Sequence, residues 1–405
     1  MLDLLKLAGI LALIVGLIRL KWNLGVVLLL AAVGTDLLFI PISAQSLTVA
    51  LDGLSAAVEP LTLKLAAIVL LISFLGEILH STLQMEGMMK SLSSLFTDRR
   101  WLLALMPMFI GLLPMIGGAM FSAPMVQEAS QGLDVSRERR WFVNYWFRHS
   151  LEAVFPIYPS FVVAAGLMGI SPQALSATQW PLLVAALAGG ILFGLVGIRP
   201  AQRSSEARLP RKDNLLLLLK SIWPIALVLL LALALHLDLV LALLVTIVLL
   251  LLVYRLGPRK LWEFARATPI SAVFIIAGTM VFRRVLEASG AVEAVSSALT
   301  TAGIPLPLIV FAVPLIPGLL TGVTVAAFAI GFPIVFPLCP PDLIGSGYGP
   351  LAFAGGYVGI LLSPVHLCLS LTRVYYQAEW GEGYRRFLPA GLLVTLVAVA
   401  MVLLR

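Results

Sequence analysis

The chain has 405 residues, 60% of them hydrophobic, with only 27 basic and 20 acidic side chains, where a soluble protein of this length carries about a hundred charges. This excludes an ordinary soluble enzyme; a transmembrane helix needs about 20 apolar residues, so the composition supplies about ten spans and a surplus for broken segments. The net charge of +7 comes from Lys and Arg gathered in short loops beside apolar runs, the pattern of the positive-inside rule rather than of a nucleic-acid surface.

In chain order, spans are expected near 2–18, 24–40, 61–79, 142–170, 181–198, 214–235, 239–254, 268–282, 350–372 and 387–404. The first lacks an A-x-A-like cleavage site and reads as a retained span. Two other apolar stretches, 101–131 and 304–340, are interrupted by GLLPMIGGAMFSAP and PLIPGLLTGVT. Such sequence does not hold a straight helix, and irregular backbone at membrane depth survives only where protein or a wet cavity satisfies it. Both are expected to be re-entrant hairpins. Trp101, Trp141, Trp146 and Trp180 read as interface anchors. The stretch 199–213 (RPAQRSSEARLPRKD) is a basic cytoplasmic linker, too short to fold as a soluble domain.

The two halves resemble each other. At an offset of 203 residues Ser93-Ser94 falls on Ser296-Ser297, and Leu112-Leu113-Pro114 falls on Leu315-Ile316-Pro317. The broken span carrying FPIYPS (155–160) corresponds to the one carrying LSPVHL (362–367). The expected fold is therefore an all-α polytopic membrane protein with about ten transmembrane helices in two repeats. Repeat 1–198 holds hairpin 101–131 and broken helix 142–170; repeat 214–405 holds hairpin 304–340 and broken helix 350–372. Five spans per repeat force the second copy to be inverted, as in secondary transporters. With Arg19 and Lys21 inside, the other basic loops also fall inside. Asp52, Glu59, the 171–180 loop, Asp342 and both termini fall outside. Arg283 and Arg284 fit this scheme poorly and suggest an interfacial helix.

The segments LLPMIGGAMFSAPMV, NYWFRHSLEAVFPIYPS, PLIPGLLTGVTVAAFAIGFPIVFP and GILLSPVHLCLSLTRVYY resemble the DUF401 family of prokaryotic membrane proteins, over nearly the whole chain. That family is grouped with the ion transporter superfamily, alongside divalent-anion/sodium symporters, citrate-metal symporters and arsenite pumps. The resemblance implies a location in the prokaryotic cytoplasmic (inner) membrane, paired hairpins, two broken helices, a homodimer and an elevator-type motion. The Ser-Asn-Thr signature of the dicarboxylate symporters is absent.

Candidate site residues cluster at the breaks. The first tip offers Pro114, Gly117, Gly118, Ser122 and Pro124, and the second offers Thr321, Gly322 and Thr324. Each could aim backbone N–H groups and a half-helix N-terminus at an anion, or could simply be a Gly-rich packing turn. Asn144, Arg148 and Glu152 recur every fourth residue along one helix face. Counted from Arg140 at about 1.5 Å per residue, Arg148 lies about 12 Å deep and Glu152 about 18 Å. Ionisable residues at such depth face a cavity or relay, so Arg148 could clamp a carboxylate or oxyanion while Glu152 or His149 takes a coupling ion. The alternative is an internal Arg148–Glu152 pair that staples the helix. Tyr158, Ser160 and His366 border the two breaks and could touch substrate or be satisfied by neighbouring carbonyls. Cys339 and Cys368 read as small packing residues, and no metal-ligand set is expected.

These features point to a secondary-active transporter for a small anion, a carboxylate or oxyanion, coupled to H⁺ or Na⁺. The alternative is a cation/proton antiporter whose ion site is Glu152 with His149. No H-E-x-x-H, G-x-S-x-G or G-x-x-x-x-G-K-[ST] pattern is present, so neither an enzyme nor a cofactor is expected. The expected partners are the solute, the bilayer and a second copy of the chain.

Overall fold

The computed structural model describes residues 2–41, 43–96, 98–112, 119–199, 210–268, 270–301 and 303–405. Among them the chain is all-helical. The first half runs α1 (Leu2–Arg19), α2 (Leu24–Phe39), α3 (Ala44–Ser55), α4 (Pro60–Ser81), α5 (Gln84–Leu95), α6 (Arg99–Gly111), α7 (Ala119–Ala129), α8 (Arg137–Ser150), α9 (Pro159–Leu167) and α10 (Pro172–Gly190). The second runs α11 (Arg211–Leu229), α12 (Leu239–Val253), α13 (Pro258–Ala267), α14 (Ser271–Ala288), α15 (Ala291–Thr301), α16 (Leu306–Thr321), α17 (Thr324–Val335), α18 (Tyr348–Leu361), α19 (Leu367–Tyr376) and α20 (Trp380–Leu403).

Four helical segments are long and apolar enough to cross a membrane: Pro60–Ser81, Pro172–Leu195, Arg211–Ala234 and Trp380–Leu403. The bent pair α13–α14 makes a fifth if it acts as one span. The helices α2, α12, α16 and α18 are apolar but shorter.

Several helices begin where an apolar-run reading does not place them. α10 starts at Pro172 rather than near 181, because the Ser171 side chain caps it by accepting from the Ala174 N–H at 3.1 Å and Pro172 fits the first turn. The 171–180 loop is thus mostly helix. α20 starts at Trp380, seven residues before the apolar run, through the polar turns WGEGYRR. α11 starts at Arg211, inside the expected linker, whose residues 200–209 lie outside the described residues. The region of Asp52 is the helix α3 and not a loop.

Arg283 and Arg284 lie in the last turns of α14. Arg284 bonds the Glu59 carboxylate and stands 3.7 Å from Asp52, while Arg283 pairs with Glu287 at 2.9 Å. The arginines that fit the charge rule poorly are neutralised by the acidic groups at the same end of the molecule. Trp141 and Trp146 are not interface anchors: both are fully buried, donating to Leu369 O at 2.9 Å and Ala186 O at 2.7 Å. Trp101 and Trp180 are exposed.

The main core joins both halves, from α4 through α20. A second core packs α1 and α2 against α14, α15 and α17. Packing recurs in matched pairs: α6 on α8 and α16 on α18, α4 on α12 and α14 on α2, α7 on α19 and α17 on α9. Close helix approach depends on missing side chains. A Cβ on Gly355 or Gly359 of α18 would run into the Phe311 or Leu315 carbonyl of α16, and a Cβ on Gly111 of α6 would run into the Arg148 carbonyl of α8.

Two helix pairs also meet head to tail. Arg386, near the start of α20, donates to Phe193 O just past α10 at 2.7 Å, and Ala390 packs on Gly189. α10 and α20 therefore run antiparallel. Tyr145 of α8 donates to Ile360 O of α18 at 3.2 Å, and Tyr357 of α18 donates to His149 O of α8 at 2.9 Å. This reciprocal pair sets α8 and α18 antiparallel as well.

Candidate functional site

Two helices are interrupted, the first inside the core and the second beside the exposed Val365 and Leu367. After Ser150, α8 tightens into a single 3₁₀ turn, Leu151–Ala153, and ends before Pro156; Pro159 then opens α9. Proline lacks the N–H that a continuing helix needs and biases its predecessor toward extended backbone. α18 ends at Leu361 before Ser363-Pro364, and α19 resumes at Leu367 with His366 in extended conformation before it. The second hairpin turns between α16 and α17 at Gly322, whose φ of 65° lies in the left-handed region that glycine tolerates.

Glu152 sits on the 3₁₀ turn, 5% exposed. One carboxylate oxygen stands 3.0 Å from His149 Nδ1, and the other accepts from the Ser160 hydroxyl in the first turn of α9 at 3.2 Å. The Thr324 hydroxyl, at the first residue of α17, lies near this carboxylate. A buried carboxylate is tolerated only when such partners replace its lost hydration. His149 is equally buried, and its ring lies 4.7 Å from that of Tyr145 and 5.1 Å from that of His366. His366 Nδ1 stands 2.7 Å from the Gly322 carbonyl and ties the second break to the second hairpin tip. Ser363 strengthens that tie by donating to Leu319 O at 2.7 Å. Thr321 caps its own turn, bonding Pro317 O at 2.7 Å and accepting from the Val323 N–H at 3.2 Å.

Arg148 is 2% exposed, among the most enclosed charges of the chain. It lies near the Tyr158 hydroxyl, which donates to Gly111 O. Asn144, one turn earlier, donates to Ala119 O at the start of α7 at 2.9 Å. Ser122 donates to the same carbonyl at 3.2 Å.

The structure thus brings Arg148, His149, Glu152, Tyr158, Ser160, Thr324, Gly322 and His366 together around the two breaks. Asn144 and Ser122 flank them at α7. Thr321 spends its hydroxyl on its own hairpin backbone. Pro114, Gly117 and Gly118 lie outside the described residues. Pro124 lies within α7. The periodic face Asn144/Arg148/Glu152 holds for its first two members; the 3₁₀ turn re-aims Glu152, which meets His149, Ser160 and Thr324.

Cys368, read from the sequence as packing, lies in this cluster. Its sulfur and one ring nitrogen each of His149 and His366 lie within 4.8 Å of one another. The available signal was the spacing His366-x-Cys368 directly after the break at Pro364.

Three helix starts converge here: α9 at Ser160, α17 at Thr324 and α19 at His366–Cys368. Each first turn carries unpaired N–H groups and the positive end of the helix dipole. With Arg148, they make a locus that favours negative charge.

A family model described as a protein of unknown function (DUF401) matches residues 3–404. No curated protein matches the chain.

Proposed function

The chain belongs to the DUF401 family, and from that footing we propose that it is a secondary-active transporter for a small anion, a carboxylate or oxyanion, coupled to H⁺ or Na⁺. The observation that carries the reading is the meeting of a buried arginine with three helix starts, two at helix breaks and one at a hairpin turn. In this reading Arg148 and the α9, α17 and α19 starts hold the anion. Tyr158, Asn144, Ser122, Thr321, Gly322, Thr324 and His366 shape the pocket, with Gly117 and Gly118 at the first hairpin tip, and Glu152 with His149 takes the coupling ion. Discontinuous helices meeting near the midplane are how transporters reconcile irregular backbone with lipid.

The proposed architecture is ten spans in two inverted repeats. α1, α2, α4, α8–α9 and α10 are the first five, and α11, α12, α14, α18–α19 and α20 the second. The α6–α7 and α16–α17 pairs are re-entrant hairpins, while α3, α5, α13 and α15 lie at the interfaces. Two findings support this: the matched helix order, and the antiparallel pairs α10 with α20 and α8 with α18. Membership in the ion transporter superfamily, an elevator motion, a homodimer, a place in the prokaryotic cytoplasmic membrane and both termini outside complete the proposal.

A thermal-shift screen of purified protein with succinate, citrate, sulfate and phosphate, at varied Na⁺ and pH, tests it. An anion at 100 times its Kd adds about 2.7 kcal/mol of stability; the shift is expected with one anion class and is abolished by Arg148→Ala. Equal shifts in the wild type and in a folded Arg148→Ala variant would refute the role of Arg148. The buried Glu152–His149 contact at 3.0 Å favours a second reading, a cation/proton antiporter, which shifts from Na⁺ or K⁺ alone would support.

A further inference from the structure

We propose that His149, His366 and Cys368 form a three-ligand site for a borderline-soft divalent cation of the Zn²⁺ class. The argument begins with hydrogen placement. The Gly322 carbonyl can only accept, so the His366 Nδ1 that stands 2.7 Å from it carries the ring proton. The Glu152 carboxylate accepts in the same way from His149 Nδ1 at 3.0 Å. In the neutral rings both Nε2 atoms are then bare lone pairs. Both are buried, and neither has a hydrogen-bonding oxygen or nitrogen partner among the described residues. A ring nitrogen of each histidine lies within 4.8 Å of the Cys368 sulfur.

One thiol proton cannot satisfy two lone pairs, so the cluster is an electron-rich donor set short of a cation. The outer contacts match what metal-bound histidine needs: the ring nitrogen not facing the metal donates to a carboxylate or a backbone carbonyl, which fixes tautomer and orientation. Two imidazoles and a thiolate suit Zn²⁺, with the fourth tetrahedral position left open. Ligand atoms in such a site stand about 3.3–3.6 Å apart, against the 4.8 Å that bounds them here, so the three side chains close by at most about 1.5 Å as the ion enters. Binding releases the Cys368 proton to solvent. The ion would link α8 to the break before α19, and through His366 to the second hairpin. This inference stands independently of the transport reading.

The test uses full-length protein in detergent, stripped with a chelator and titrated with Co²⁺, then with Zn²⁺. The chain has two cysteines, so Cys339→Ala leaves Cys368 as the sole thiol without touching the site. One equivalent of Co²⁺ is expected to give sulfur-to-cobalt charge transfer and intense tetrahedral bands in wild type and in Cys339→Ala, both bleached by Zn²⁺. The charge transfer is absent in Cys368→Ala. Glu152→Gln, which leaves all three ligands, weakens Co²⁺ binding about 10–100-fold. Absence of charge transfer in folded Cys339→Ala overturns the proposal, as does its persistence in Cys368→Ala.

Discussion

Replacing Gly322 by alanine probes the joint between the second hairpin and the second break. At φ 65° an L side chain costs about 1–2 kcal/mol. The added Cβ would lie 2.6 Å from His366 N, 2.7 Å from His366 Cα and 2.9 Å from Val365 C. All three are backbone atoms, so relief requires moving the hairpin away from the break, at a further cost of about 1–3 kcal/mol for overpacking. Gly169 isolates the two costs: its φ is 70°, but an added Cβ meets nothing within 4 Å. Gly169→Ala is expected to lose about 1–2 kcal/mol and Gly322→Ala about 2–5 kcal/mol. Denaturant unfolding in detergent, followed by tryptophan fluorescence, measures both. Because His366 is anchored on the Gly322 carbonyl, Gly322→Ala alone also loses ligand-induced stabilisation. Equal destabilisation by the two substitutions would refute the close contact between hairpin tip and break.

Other substitutions test the surroundings. Glu152→Gln keeps volume but replaces a charge that His149, Ser160 and Thr324 all address; uptake assays should show loss of ion coupling, and wild-type coupling would remove Glu152 from the mechanism. In Gly383→Ala the new methyl strikes the Trp141 ring, which is fully buried beside Trp380 and Phe387; a loss of about 1–3 kcal/mol is expected, and an unchanged melt would contradict the packing. Asp238 caps α12 by accepting from the Val240 N–H at 2.9 Å and pairs with Lys64 at 2.5 Å. Burial pushes its carboxyl up, but the bonds from Lys64 and the α12 N–H groups outweigh this and hold it below its ordinary value of 3.8. Its contribution is therefore present above that value and is lost as pH falls through the lower folded one. Asp238→Ala should cost about 1 kcal/mol near neutral pH, chiefly through the cap because the ion pair is solvent-screened. The gap from wild type should narrow at strongly acid pH; a constant gap would refute the linkage.

The all-helical character and membrane composition follow from sequence alone, because apolar content and proline-broken runs are local properties. The helix breaks near Pro156 and Pro364 and the turn at Gly322 were legible for the same reason: a missing N–H or a left-handed φ does not depend on distant partners. Helix starts at Pro172 and Trp380 were hidden, since their first turns are polar and a hydropathy reading sees only the apolar remainder. Trp141 and Trp146 look like interface residues until α10, α19 and α20 enclose them. Arg148 and Glu152 stand out in sequence as charges too deep to be incidental, but a single 3₁₀ turn decided that Glu152 meets His149, Ser160 and Thr324. The role of Cys368 was hidden because, although His366 is two residues away, its other partner His149 comes from α8, about 220 residues away. Spacing along one chain encodes faces and breaks, whereas the meeting of His149, His366 and Cys368 depends on how α8 crosses α19. Only tertiary packing fixes that crossing.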